Sequence, residues 1–217
     1  MKYTSYTYHC VRAEVSAFII EDGVTEYHIM LHVTNPMLSY YEQMEAVFKI
    51  YTSLLQNELH GASSIFKRFF LSDAANQTDL LLARMIEDSD CALSVVQQPP
   101  LDGTKIALWA HLLTNVKTNM LPNGLFEVKH GKYRQLWLGG CSNKAANSEY
   151  QMRLLLNDYV MQLMEENCTL EANCLRTWIF VQNVDCNYAG AVKARNEVFA
   201  TQNLTEKTHY IASTGIE

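Results

Sequence analysis

The sequence predicts an α+β protein made of two tandem β-β-α-β-α-β units. Three observations carry this. Short runs rich in β-branched and aromatic residues alternate with apolar positions at helical spacing. The order strand, strand, helix, strand, helix, strand occurs twice. A shift of 108 residues lays one long amphipathic stretch on the other, so that Gln43-Met44 meets Gln151-Met152, Tyr51 meets Tyr159 and Asn35 meets Asn143. The first unit is expected over residues 1–115 and the second over 116–217.

Composition narrows the class. The 217 residues are 48% hydrophobic and 18% charged, enough apolar material for a packed core. A net charge of −6 argues against a nucleic-acid binder, which needs a basic footprint to offset phosphate charge. The opening MKYTSYTYHC is polar and aromatic and has no signal core, and no apolar run reaches the length of a membrane span. A cytoplasmic protein without membrane contact is expected. The six cysteines are scattered, with no C-x-x-C pair, and read as reduced, mostly buried thiols; no metal site and no cofactor is expected.

In the first half, Arg12 to Ile20 and Glu26 to Val33 read as strands of a hairpin turning at Glu21-Asp22-Gly23, closed by Asn35-Pro36. Tyr40 to Glu58 reads as a helix, because Met44, Val47, Phe48, Tyr51, Leu54 and Leu55 form one continuous apolar face. Ile65 to Leu71 is a strand. Ser72-Asp73 can cap a helix over Asn76 to Glu87. Leu93 to Gln97 and Lys105 to Leu113 are strands joined through Pro99-Pro100 and Asp102-Gly103.

Asn115 to Gly124 reads as a polar linker broken by Pro122 and Gly124. Leu125 to His130 and Tyr133 to Leu138 form a second hairpin turning at Gly131, followed by Gly139-Gly140 and a polar loop. Ser148 to Glu166 is a helix with Met152, Leu155, Leu156, Tyr159 and Leu163 on one face. Leu175 to Val181 is a strand; Asn183 and Asp185 offer cap chemistry; Tyr188 to Phe199 recurs at helical spacing; His209 to Ala212 reads as a strand. The counterpart of Lys105 to Leu113 would fall beyond Glu217, so the chain is expected to be the front part of a longer protein; the alternatives are a strand taken from another chain or a sheet with one strand fewer.

The stretch LRTWIFVQNVDCNYAGAVKARNEVF, a strand ending in an Asn/Asp turn and then a helix closing on R-N-x-x-F, resembles the YjgF-like or Rid family, also labelled endoribonuclease L-PSP or translation initiation inhibitor. Ser94 to Ala110, SVVQQPPLDGTKIALWA, resembles the family's closing strand pair. The resemblance is nearest to tandem, chorismatase-like members. It implies a mixed sheet with two helices on one face in each unit, and trimers or pseudo-trimers with ligand clefts between units. It also implies an arginine that holds a substrate carboxylate, a cysteine site and a glutamate that position water. Carried over, the arginine position falls on Ala92, the cysteine position on Ser94 and the glutamate position on Trp109; in the second unit the arginine position falls near Thr208 or His209. The family's serine position falls on Gly139 and its tyrosine position on Phe126.

No Walker loop, G-x-G-x-x-G, H-E-x-x-H or G-x-S-x-G is present. Gly139-Gly140-Cys141 is the leading local candidate, because paired glycines at a strand end let a ligand approach the backbone and expose N–H groups to an anion. Arg134 and Arg176 are candidate carboxylate ligands. His28 and His32 share one face of a strand, being four apart, and read as polar-face or interface histidines. The expectation is a catalytically degenerate Rid-like unit that binds a small carboxylate-bearing metabolite or supports a downstream Rid-like domain, with self-association. The alternative is an imine or enamine deaminase, or a chorismatase-like enzyme, completed by a further unit or subunit.

Overall fold

The computed structural model describes residues 1–20, 23–85 and 91–216. Most of the expected turn at Glu21-Asp22 and the helix end at Glu87 lie outside the described residues. The chain forms two compact units, Met1–Gly140 and Cys141–Glu217. The hairpin after residue 115 belongs to the first of them.

The first unit contains nine strands and two helices among the described residues: β1 (Lys2–Tyr8), β2 (Val11–Ile19), β3 (Thr25–Val33), α1 (Tyr40–Asn57), β4 (Ala62–Leu71), α2 (Ala74–Met85), β5 (Ala92–Gln97), β6 (Ile106–Thr114), β7 (Lys117–Met120), β8 (Phe126–His130) and β9 (Tyr133–Trp137). A six-stranded sheet runs in the order β1-β2-β3-β6-β4-β5. It is mixed: β4 and β5 are parallel, joined through α2, and every other pairing is antiparallel. The protein is therefore α+β with a mixed sheet. Among the described residues a second six-stranded sheet is not seen.

Residue alternation divides the sheet's two faces. Val11, Ala13, Val15, Ile29, Leu31, Val33, Phe69, Leu71, Ile106, Leu108, Ala110 and Leu112 form one core with Met44, Val47, Phe48, Tyr51 and Leu54 of α1 and Leu81 and Met85 of α2. The helix face predicted from spacing is the face that is buried. α1 begins at a capping box, in which the Ser39 side chain accepts from Glu42 N and the Glu42 carboxylate accepts from Ser39 N at 2.8 Å. The Asp73 carboxylate accepts from Asn76 N at the start of α2, as the Ser72-Asp73 signal implied.

The opposite face has its own, smaller core. Ile65, Phe66, Ala92 and Leu113 pack there with Phe126 and Val128 of the β7-β8-β9 sheet. A β-bulge makes this possible. Between Ser64 and Phe66 the pairing of β4 with β6 slips by one residue, which turns Phe66 and Arg68 away from the helices.

Two strands of the first unit depart from expectation. β1 lies in the opening stretch read as polar and aromatic, where no strand was expected. Its Tyr6 and Tyr8 pack against the main core, and its thin apolar pattern comes from its place at the sheet edge. β7 lies within the expected linker; all four residues are exposed, and backbone pairing with β8 alone makes it a strand.

The second unit contains α3 (Ser148–Glu165), a short α4 (Leu170–Asn173), β10 (Arg176–Phe180), α5 (Val184–Thr201) and β11 (Ala212–Ile216). Its core joins Met152, Leu156 and Leu163 of α3 to Ala191, Ala194, Val198 and Phe199 of α5. Gly190 lets the two helices touch: a Cβ there would meet Ser148 Oγ at 2.6 Å. Ion pairs from Lys193 to Glu149 and from Arg153 to Glu197 bridge the same helices.

β10 and β11 are parallel, with Arg176 opposite Ala212. The last strand thus begins where the expected strand His209–Ala212 ends. Thr208 Oγ1 donates to Asn203 O at 2.5 Å, and His209 contacts Glu171 O at 2.9 Å, so these side chains hold the segment in a loop. Asn183 does occupy the N-cap of α5, but in a left-handed conformation with no side-chain cap bond. No described helix is long and apolar enough to cross a membrane.

Candidate functional site

A group of ionisable and aromatic side chains lies on the sheet face turned away from α1 and α2. It follows from register. Glu26 and His28 are two apart on β3 and share that face. His111 of β6 stands directly opposite His28, and Trp109 of β6 directly opposite Arg68 of β4. Arg68 is in turn opposite Ser94 of β5.

The His28 and His111 rings stack with centroids 4.4 Å apart. Trp109 also stacks with His28 at 5.8 Å, and Phe18 of β2 meets His28 edge-on. The Trp137 ring of β9 meets His111 edge-on at 5.0 Å. Glu26 Oε1 lies 3.0 Å from His28 Nε2 and 2.8 Å from His111 Nε2. His111 is only 5% exposed, and neither of its ring nitrogens has a partner in hydrogen-bonding geometry. The Glu26 contact is thus a close charge-to-ring approach without the alignment of a hydrogen bond.

Burial pushes the His111 imidazole down to about 4, and the charge of His28 works the same way; the Glu26 carboxylate opposes both. At neutral pH His111 is therefore an uncharged imidazole with lone-pair character. Arg68, 6% exposed, donates from Nε to Ser94 Oγ at 3.3 Å. Its guanidinium also lies over the Phe66 ring at 5.1 Å and the Trp109 ring at 5.6 Å.

The residues singled out from sequence are distributed differently. Arg134 is on β9, where its Nε lies 2.5 Å from Glu127 Oε1. The Glu127 carboxylate is also paired with Lys129 at 2.8 Å, and these two cations hold its pKa below the usual range. Gly139 lies against β5, where a Cβ would collide with the Leu93 carbonyl and crowd Phe66. Gly140 follows with φ +71°. The bareness of Gly139 thus serves backbone packing within the first unit.

Cys141 and Arg176 belong to the second unit. Cys141 is exposed as a residue, yet its sulfur is partly desolvated; this and the Asp158 carboxylate push the thiol up, away from nucleophile character. Arg176 donates from Nη2 to Thr214 Oγ1 at 3.0 Å and stacks over Trp178 at 4.9 Å. His32, expected to share a face with His28, does so but points to Glu14 at 3.7 Å.

No protein-family model, curated protein or solved structure matches this chain.

Sequence reasoning missed Glu26, Arg68 and His111 as members of one group. The available signal was parity: Glu26-x-His28, Phe66-x-Arg68 and Trp109-x-His111 each put polar or aromatic side chains on alternate positions of otherwise apolar strands. Which strands neighbour each other was not readable, and the bulge at Ile65 shifts the parity of β4.

Proposed function

We propose that the first unit is a Rid-like binding module that holds a small carboxylate-bearing metabolite on the sheet face away from its helices, without deaminase chemistry of its own. One observation carries the reading: Arg68, Ser94 and Trp109 are neighbours across three adjacent strands. The resemblance assigns the family's cysteine position to Ser94 and its glutamate position to Trp109. A guanidinium from β4 thus stands beside the cysteine position, while an indole replaces the carboxylate that would position water. A guanidinium fork matches a carboxylate at two points, and the flanking rings favour a planar, partly apolar ligand.

The test uses the full chain with benzoate as probe and benzamide as its neutral analogue, in isothermal titration. Saturable benzoate binding is expected, with benzamide weaker by about tenfold or more and Arg68→Lys reducing benzoate affinity by a similar factor, the range of a charge-assisted hydrogen bond. Equal binding of the two probes, or no binding of either, overturns the reading.

The Glu26 carboxylate beside His111 favours a second reading, an enzyme of the imine-deaminase or chorismatase-like kind. Ammonia release from an enamine substrate that disappears in Glu26→Gln would establish it in place of the first.

A further inference from the structure

We propose that Glu26, His28 and His111 form a binding site for a divalent transition-metal ion of the zinc type. The donor atoms of the three side chains lie within 4.8 Å of one another. One carboxylate and two imidazoles are a donor set that zinc and its neighbours accept, and three protein ligands leave a coordination position open.

The placement is rigid where it needs to be. Glu26 and His28 project from the same face of β3, and His111 projects from the facing residue of β6, so backbone hydrogen bonding fixes all three Cα positions. His111 is held by burial and by the Trp137 edge.

The second observation is independent of the spacing. His111 is about nineteen-twentieths buried, and its Nε2 approaches Glu26 Oε1 at 2.8 Å without making a hydrogen bond. A buried polar atom without a partner is costly, and native structures keep few of them. A cation lying between Nε2 and the carboxylate would give the nitrogen a partner and turn a close approach into two metal–ligand bonds.

Two adjustments are needed. Tetrahedral ligation at about 2.0–2.1 Å sets donor atoms roughly 3.3 Å apart, so the Glu26 carboxylate must draw back slightly from His111 Nε2, now 2.8 Å away. The two rings are nearly parallel, 13° apart, so their in-plane lone pairs do not converge on a common point. His28 must turn about its side-chain torsions to bring Nε2 onto an ion held by His111 and Glu26. Its side chain is 34% exposed, which leaves it room to turn. Metal binding therefore breaks the stack of His28 on His111.

The experiment is isothermal titration of the chelator-stripped, refolded-free full chain with Zn²⁺, paired with the visible spectrum of the Co²⁺ form. One equivalent is expected to bind, and the Co²⁺ spectrum is expected to lack a thiolate charge-transfer band, which excludes the six cysteines as the ligands. Glu26→Gln keeps the side-chain shape, and His28→Ala alters a part-exposed residue; both are expected to keep the far-UV circular dichroism of the parent. Each should weaken binding by more than about tenfold, since even outer partners of a ligand cost that much. No binding by the parent chain, a thiolate band, or a loss under tenfold in either variant overturns the proposal. None of these readings depends on benzoate, so this site and the carboxylate site stand or fall separately.

Discussion

His28 and His111 face each other across β3 and β6 with their rings stacked 4.4 Å apart, and Glu26 Oε1 lies within 3.0 Å of an Nε2 atom of each. Two imidazoles in such contact cannot both be protonated cheaply, and the buried one gives way. The folded His111 titrates near 4 and the unfolded imidazole near 6.5. Between those values the unfolded chain holds more protons, so stability falls as the pH is lowered from about 6.5 to about 4 and loses nothing further from this group below that. The loss is up to about 3 kcal/mol. Urea unfolding at several pH values should show the slope, and it should flatten in His111→Gln.

Gly139 is held against Leu93 at ordinary φ, so backbone strain does not enter and the effect of a side chain there is steric. Gly139→Ala forces Cβ into the Leu93 carbonyl and is expected to cost about 1–3 kcal/mol, the usual range for overpacking. Gly103 is the contrast: its φ is +79° and nothing lies within 4 Å of a Cβ, so Gly103→Ala brings backbone strain alone, about 1 kcal/mol. Chemical denaturation of the two variants separates packing from conformation.

The capping box at α1 satisfies backbone donors at the helix start through Ser39 and Glu42. Ser39→Ala should lower stability by about 1 kcal/mol. The same hydrogen bonds hold the Glu42 carboxylate below the usual range, so their contribution is present at neutral pH and fades as the pH falls through that lowered value. The part of the deficit due to the Ser39 Oγ bond to that carboxylate should therefore disappear in acid, while the part due to the Glu42 N bond to Ser39 Oγ persists, which thermal melts at neutral and acidic pH would detect.

Cys141 is accessible but its thiol is pushed up by partial burial and by Asp158. Alkylation by iodoacetamide at pH 7.5, followed by peptide mass spectrometry, should find it reacting more slowly than free glutathione. Asp158→Asn should speed it. A Cys141 that reacts faster than glutathione would restore it as a candidate nucleophile.

Most helices could be read from spacing because the signal is local. Met44, Val47, Phe48, Tyr51 and Leu54 mark the buried face of α1 whatever it packs against. The strands of the main core were readable for the same reason, since the buried Ile29, Leu31 and Val33 alternate with the less buried His28, Met30 and His32. β1 and β7 were not, because an edge strand is defined by the backbone groups of its neighbour, which leave little trace in its own side chains. β11 fell late for a related reason: turn chemistry from Thr208 and His209 outweighed the short β-branched run.

The amino-acid order alone thus determined the α+β class, the buried face of α1 and the two hairpins, because each depends on residues within a turn or two of one another. Only the folded chain decided that β6 runs between β3 and β4, that a bulge at Ile65 turns Arg68 outward, and that Glu26, His28 and His111 meet. Those outcomes depend on register between strands up to some eighty residues apart in sequence, as His28 and His111 are. Such pairing is set by the summed packing of whole faces, which no single stretch encodes.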